Sequence, residues 1–269
     1  SIHNRLISLD ENISNFKEGQ KTIYYLSGDN VDKLLASPQI EGFLNKGIDV
    51  LLFTDPVDNF WVNNYIRYKD YDIKSVTRSN IDLEQDVDKD KEKGANNDSS
   101  KDIKQDEGQY SELIEYFKKV LGNSVKDVKI SRKLTSSIAC LTVGDSGMDM
   151  YTERLLMEQR RSSFQVPKVL EINPKHPIIQ RINSDLFAED QHSIINNEEL
   201  VKLIFDEACI IEGQLPSNVV EFSRRINNIM EKVLSATGTD NKMPIVEAIE
   251  FNRSKGTSTR KKSTKSKNS

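Results

Sequence analysis

The stretch Asn197 to Leu234 constrains this chain most, because it carries more apolar surface than one helical hairpin can hide. Asn196 and Asn197 are cap residues, and Glu198 and Glu199 put negative charge where a helix start favours it. Leu200, Leu203, Ile204, Ala208 and Ile211 follow at helical spacing, with Val201, Phe205, Cys209 and Ile210 on adjoining faces. A helix apolar around most of its girth has to be covered on more than one side. Gly213 suits its end and Pro216 the start of the next helix. Val219, Phe222, Ile226, Ile229 and Val233 then form a three-four seam, widened by Met230 and Leu234. The same pattern leaves Arg224, Arg225, Asn227 and Asn228 outside the seam. Two readings of the hairpin stand. Both helices belong to the core of one domain, or two copies pair their hairpins into a four-helix bundle across a two-fold axis.

With 269 residues the chain has room for about two domains. A shift in composition marks where they meet. Residues 83–108 are dense in Asp, Glu, Lys, Asn and Ser and poor in apolar groups, so they read as a charged, solvated linker. A role as an interaction strip is the other reading. Residues 1–82 precede it, 109–234 follow it, and 235–269 read as a disordered tail that turns basic from Arg253. Such a tail can meet nucleic acid or anionic lipid through charge alone, or simply solubilise; it lacks the interleaved aromatics that stack on bases. The net charge of −4 gives no overall bias toward nucleic acid.

The first domain begins with a capping signal at Ser8 and a weak helical pattern. Thr22 to Gly28 is a strand by its β-branched and aromatic content. Asp29 or Asn30 caps a helix through Leu34 and Leu35. Pro38 interrupts it, and Ile40, Phe43 and Leu44 continue to Gly47. Ile48 to Thr54 is an unbroken apolar strand, as in a parallel sheet buried on both faces. Asp55 and Pro56 open a helix with Val57, Phe60, Trp61 and Tyr65, and Ile73 to Thr77 makes a third strand. The expectation is a small three-layer α/β unit with right-handed crossovers. No dinucleotide fingerprint and no phosphate loop occurs in the chain. Ser27 and Asp29 read either as a turn with a helix cap or as catalytic groups.

The second domain reads as α+β. Leu113, Ile114, Phe117, Val120 and Leu121 make an amphipathic helix ending at Gly122. Val125 to Ile130, Ser136 to Val143 and Pro167 to Ile172 are strands, and Pro177 opens a short helix to Phe187. Met148 to Arg160 is helix-capable and holds three of the five methionines. It reads as core, or as an adaptable surface for varied apolar partners. Its polar flanks favour a mobile amphipathic element. His3, His176 and His192 have no metal-ligand spacing, so no metal is expected. Cys140 and Cys209 read as buried thiols, with a disulfide left open. No apolar run approaches the roughly 18 residues needed to span a bilayer. The first residue is Ser and no signal peptide is seen, which suggests a fragment of a longer cytoplasmic protein.

Four strings, in order, resemble the heat-shock protein 90 family in its bacterial, HtpG-type branch. They are SLDENISNFKEGQKTIYYLSG at Ser8 to Gly28, GIDVLLFTDPVDNF at Gly47 to Phe60, LEINPKHP at Leu170 to Pro177 and SRRINNIMEKVL at Ser223 to Leu234. The resemblance implies the end of a middle domain and a whole C-terminal dimerisation domain of an ATP-driven chaperone. ATP and magnesium would belong to an absent N-terminal domain, so no catalytic or cofactor residue is assigned and no enzyme activity is expected of this stretch. It implies a homodimer through Leu200, Leu203, Ile204, Val219, Phe222, Ile226, Ile229, Met230 and Val233. It implies contacts to non-native client proteins through Met148, Tyr151, Leu155 and Leu156, and through the aromatic site at Phe60 and Trp61, with cooperation from other chaperones. Three departures accompany it. The charged linker is longer than usual, Asn12 stands where the family has Tyr, and the tail lacks the acidic motif that recruits tetratricopeptide partners. Two other classes remain. A structural dimerisation module would share the hairpin. A small α/β enzyme would have to use Ser27, Asp55 or Asp58 without a histidine near them in sequence.

Overall fold

The computed structural model describes residues 1–3, 5–55, 57–62, 67–79, 81, 83, 108–144, 149–160, 168–187 and 196–236. By its contacts the chain forms two units, Ser1–Ile226 and Asn227–Ser269. The second unit is described only for the latter part of the last helix.

The first unit opens with α1 (Leu9–Ser14), capped by the Ser8 hydroxyl, which accepts from the Glu11 amide. Then come β1 (Thr22–Ser27), α2 (Val31–Leu35), a 3-10 turn at Pro38–Ile40, α3 (Glu41–Lys46), β2 (Val50–Phe53) and α4 (Asp58–Val62). A short hairpin, β3 (Arg67–Tyr68) and β4 (Tyr71–Ser75), completes a sheet of order β2-β1-β4-β3. β1 runs parallel to both β2 and β4, so it is covered on both edges and both faces, and every one of its residues is buried. Its side chains alternate between two cores. Tyr24 and Leu26 pack with Ile40, Phe43 and Ile48; Ile23 and Tyr25 pack with Leu51, Val62 and Ile73.

The α/β expectation therefore holds, with local differences. Asn30, not Asp29, caps α2. The third strand ends at Ser75 rather than Thr77, because the Thr77 carbonyl accepts from the Val143 amide at 3.0 Å. The β3–β4 hairpin is unforeseen; it turns through Lys69 at φ 53°. Leu83, assigned by composition to the linker, is 1% exposed and fills the core beside α3.

The second sheet has order β5-β7-β6, from β5 (Val125–Ile130), β6 (Ala139–Thr142) and β7 (Lys168–Ile172). β7 pairs parallel with β5 and antiparallel with β6. α5 (Ser111–Leu121) presents Leu113, Phe117 and Leu121 to it at intervals of four. α6 (Met150–Arg160) and α7 (Pro177–Leu186) follow. α8 (Asn197–Ile211) lies on β6 and α5, and α9 (Val219–Ala236) ends the described chain. β6 starts at Ala139, three residues later than its pattern suggests. The amides of Thr135, Ser136 and Ser137 are taken by the Glu41 carboxylate instead of a strand partner.

Candidate functional site

The residues with chemistry to offer gather where the α/β sheet meets the second sheet. No hydrophobic cluster crosses this junction among the described residues; each sheet has its own. Polar side chains make the join. Gln39, fully buried at the 3-10 turn, donates to the Leu141 carbonyl at 2.6 Å and to Glu212 Oε1 at 2.8 Å. Its own oxygen accepts from Lys133 Nζ at 2.7 Å. Lys133, 2% exposed, also donates to the Val76 carbonyl at 2.9 Å and faces Glu171 at 3.9 Å. Ser131 Oγ donates to the same Glu171 carboxylate. A lysine buried this deeply is tolerated because its hydrogens find oxygens and its charge finds a carboxylate.

A second clasp lies beside it. Burial works against the Glu41 carboxylate, but the Ser137 hydroxyl and the amides of Thr135, Ser136 and Ser137 outweigh it and hold the pKa down at about 2. Gly42 is required next to this clasp. A β-carbon there would come within 2.7 Å of the Lys133 carbonyl and 2.9 Å of its Cα.

The third fastening places α6. Asp149 precedes the helix and is 2% exposed. It accepts from Ser75 Oγ at 2.5 Å, Thr77 Oγ1 at 3.3 Å and the Tyr151 amide at 3.0 Å. Burial still pushes its pKa up, since those bonds only partly offset desolvation. One turn later Arg154 takes both oxygens of Asp29 at 2.9 Å and donates to the Glu212 carbonyl at the end of α8. Burial raises and the Tyr151 hydroxyl and Arg154 lower the Asp29 pKa, and the lowering prevails. The guanidinium fills the space over Gly213 (φ 75°), where a β-carbon would lie 2.2 Å from Nη1.

The flanks on which the expectation of a mobile methionine-bearing segment rested, residues 145–147 and 161–163, lie outside the described residues. The first turn of α6 has Met150 in the core at 5% exposure and Tyr151 against both Asp29 and the Arg154 guanidinium, 5.0 Å from its ring. Leu155 is half-buried. Met148 and the side chain of Leu156 lie outside the described residues, as does the side chain of Phe60. Trp61 is half-buried, stacked edge-on to Phe53, and its indole N–H donates to Asp58.

On α8 the core takes Val201, Ile204, Ala208 and Cys209. Ile204, expected at the dimer face, is 3% exposed and so has no surface to offer a partner. Leu200 and Leu203 are half-buried. Arg225, expected outside the seam, is turned inward. Its guanidinium meets Asp206 at 2.6 Å and Glu199 at 3.2 Å, tying α9 to α8. Burial raises the Asp206 pKa against the pull of Arg225. Phe222, Ile226 and Ile229 are half-buried, while Val219, Met230 and Val233 are exposed. Both cysteines are free thiols, and burial pushes Cys209 up to about 12. Among the described residues no cluster of His, Cys, Asp and Glu has the makings of a metal site, and no helix is long and apolar enough to cross a membrane.

Sequence reasoning missed Gln39, Lys133, Glu171 and Glu212. Each is an ordinary polar residue in its own segment, and only the meeting of the two sheets gives them roles. The family described as Hsp90 protein matches residues 1–265. The chain is similar to the chaperone protein HtpG of Rickettsia massiliae (strain Mtu5), 56% identical over 234 residues that make up 87% of this chain and 36% of that protein. HtpG of Rickettsia bellii (strain RML369-C) and of Rickettsia prowazekii (strain Madrid E) are each 55% identical over the same shares. The chain thus spans little more than a third of the length of these relatives.

Proposed function

The chain belongs to the Hsp90 family, and from that premise we propose that it is the dimerising, client-holding part of an ATP-driven, HtpG-type chaperone of the cytoplasm. One observation carries the reading. A single copy leaves Leu215, Val219, Val220, Met230, Val233 and Leu234 between 47% and 79% exposed on α9 and the turn before it. An apolar stripe of that kind calls for a partner surface. A second copy of the same helix supplies one with two-fold symmetry. The proposed interface is Leu200, Leu203, Val219, Phe222, Ile226, Ile229, Met230 and Val233, without Ile204.

Client contacts are assigned to Met148, to Tyr151, Leu155 and Leu156 of α6, and to Phe60 and Trp61 of α4. Nucleotide chemistry, with its magnesium, is assigned to parts of the longer relatives outside the aligned third. Pairing gives the client surfaces of two chains a high effective concentration for one polypeptide. ATP can drive such a machine only if client affinity differs between its states.

Sedimentation is the direct test. The wild-type chain is expected to run as a dimer, and I226D/I229D as a monomer, because burying unpaired carboxylates is costly. A wild-type monomer at all concentrations, or a dimeric double variant, overturns the proposed interface. M148S/L155S is expected to remain dimeric and to lose suppression of client aggregation. Unaltered suppression removes Met148 and Leu155 from the client surface.

A further inference from the structure

Two neighbouring arginines of α9 have opposite surroundings. Arg224, with its side chain 63% exposed, pairs with Glu221 at the surface, where an ion pair contributes little. Arg225, at 14%, turns against α8, with Nη1 2.6 Å from Asp206 and Nε 3.2 Å from Glu199. Asp206 is itself 5% exposed. Glu199, Leu203 and Asp206 follow one another at spacings of four and three, so they share one face of α8.

Apolar burial alone would lay the seam of α9 flat on that face. The helix sits otherwise. At about 100° per residue, Arg225 stands roughly 60° to one side of Phe222 and Val219 roughly 60° to the other. With Arg225 drawn in, Phe222 and Ile226 are half-buried, whereas Val219 and Val220 stay 53% and 76% exposed. Met230 and Val233, further along the same helix, are exposed as well. The seam is therefore split lengthwise, and its Val219 flank is left open. A buried ion pair returns little more than its desolvation costs, so stability is not its main effect. What it fixes is orientation, because a helix rolled toward its seam would carry the guanidinium away from its carboxylates.

We propose that Arg225 is a positioning residue for chain pairing: its ion pairs with Asp206 and Glu199 hold α9 turned about its own axis, so that the Val219 flank of the seam stays open for a second copy. Arg225 meets no partner itself and acts through the rotation of the helix. The inference rests on the pairing proposed above, and it supplies what keeps the stripe from closing on its own chain.

The full chain is tested by sedimentation equilibrium, with urea unfolding read at concentrations where each variant is monomeric. D206L/R225M removes both charges and leaves apolar groups in their place. Its urea midpoint is expected to match or exceed that of the wild type. Its dimer is expected to be about tenfold weaker, since α9 is then free to roll its seam onto Leu203. R224M deletes the same charge at the surface and is expected to keep the wild-type dissociation constant within about twofold. A dimeric wild type beside D206L/R225M of unchanged dissociation constant overturns this inference alone. Equal weakening by R224M, or a lower midpoint in D206L/R225M, does the same. A wild-type chain that is monomeric at every concentration overturns the pairing itself, and this inference with it.

Discussion

The junction between the two sheets and the outer side of α9 are opposite kinds of surface. At the junction, Lys133, Gln39 and Glu171 are withdrawn from water, Glu212 is half-buried, and all four are answered within the same chain. On α9, Val219, Val220, Met230 and Val233 stand in water. The first region is polar and complete; the second is apolar and unfinished. A buried polar join fixes orientation, because each donor must meet its own acceptor. An apolar stripe gains free energy from any matching cover, so it suits association. One chain thus holds a buried polar join that aligns its own parts and an exposed apolar stripe on its last helix.

The contrast breaks first at Lys133. Lys133→Met removes the cation and leaves Glu171 and Gln39 buried without it, a loss of about 3–5 kcal/mol expected for one partner of a buried pair. Urea unfolding reads it as a lower midpoint at unchanged slope, and an unchanged midpoint means the network is ornamental. The Glu41 clasp sharpens the same point through pH. Its pKa is depressed from 4.5 to about 2, so the clasp contributes in full above 4.5 and is lost as pH falls through about 2. Protection of the Thr135 to Ser137 amides, taken relative to the unprotected rate at each pH, is expected to hold at pH 5 and fall toward pH 2, whereas Glu41→Gln lowers it already at pH 5. Exchange in Glu41→Gln that matches the wild type would take the clasp out of the junction. The smallest effect belongs to the other region. Val220→Ser, at a side chain 76% exposed, is expected to change the stability of the single chain by less than about 0.5 kcal/mol. A loss well beyond that would show that Val220 is core rather than open surface.

Much of this was legible beforehand, and the failures have a common cause. β1, β2 and α5 followed from local pattern, since a β-branched run or an apolar residue every fourth position reports its own burial. Arg225 was misplaced because periodicity sorts residues by polarity, and nothing in the spacing tells that Asp206 waits on the facing helix to receive it. Ile204 was assigned to a partner because a helix apolar all round gives no sign of which side its own chain covers. Leu83 was lost in a charged stretch because composition averages over its neighbours.

By itself the sequence determined the elements, their order and the kinship, since propensity, turn residues and apolar period are properties of neighbours along the chain. Only the tertiary structure decided that Gln39 meets Lys133 across a separation of 94 positions, and that α6 is moored by Asp149 and Arg154. Those outcomes depend on distances between segments, and a hydrogen bond or an ion pair is decided within a few ångströms that no local pattern encodes.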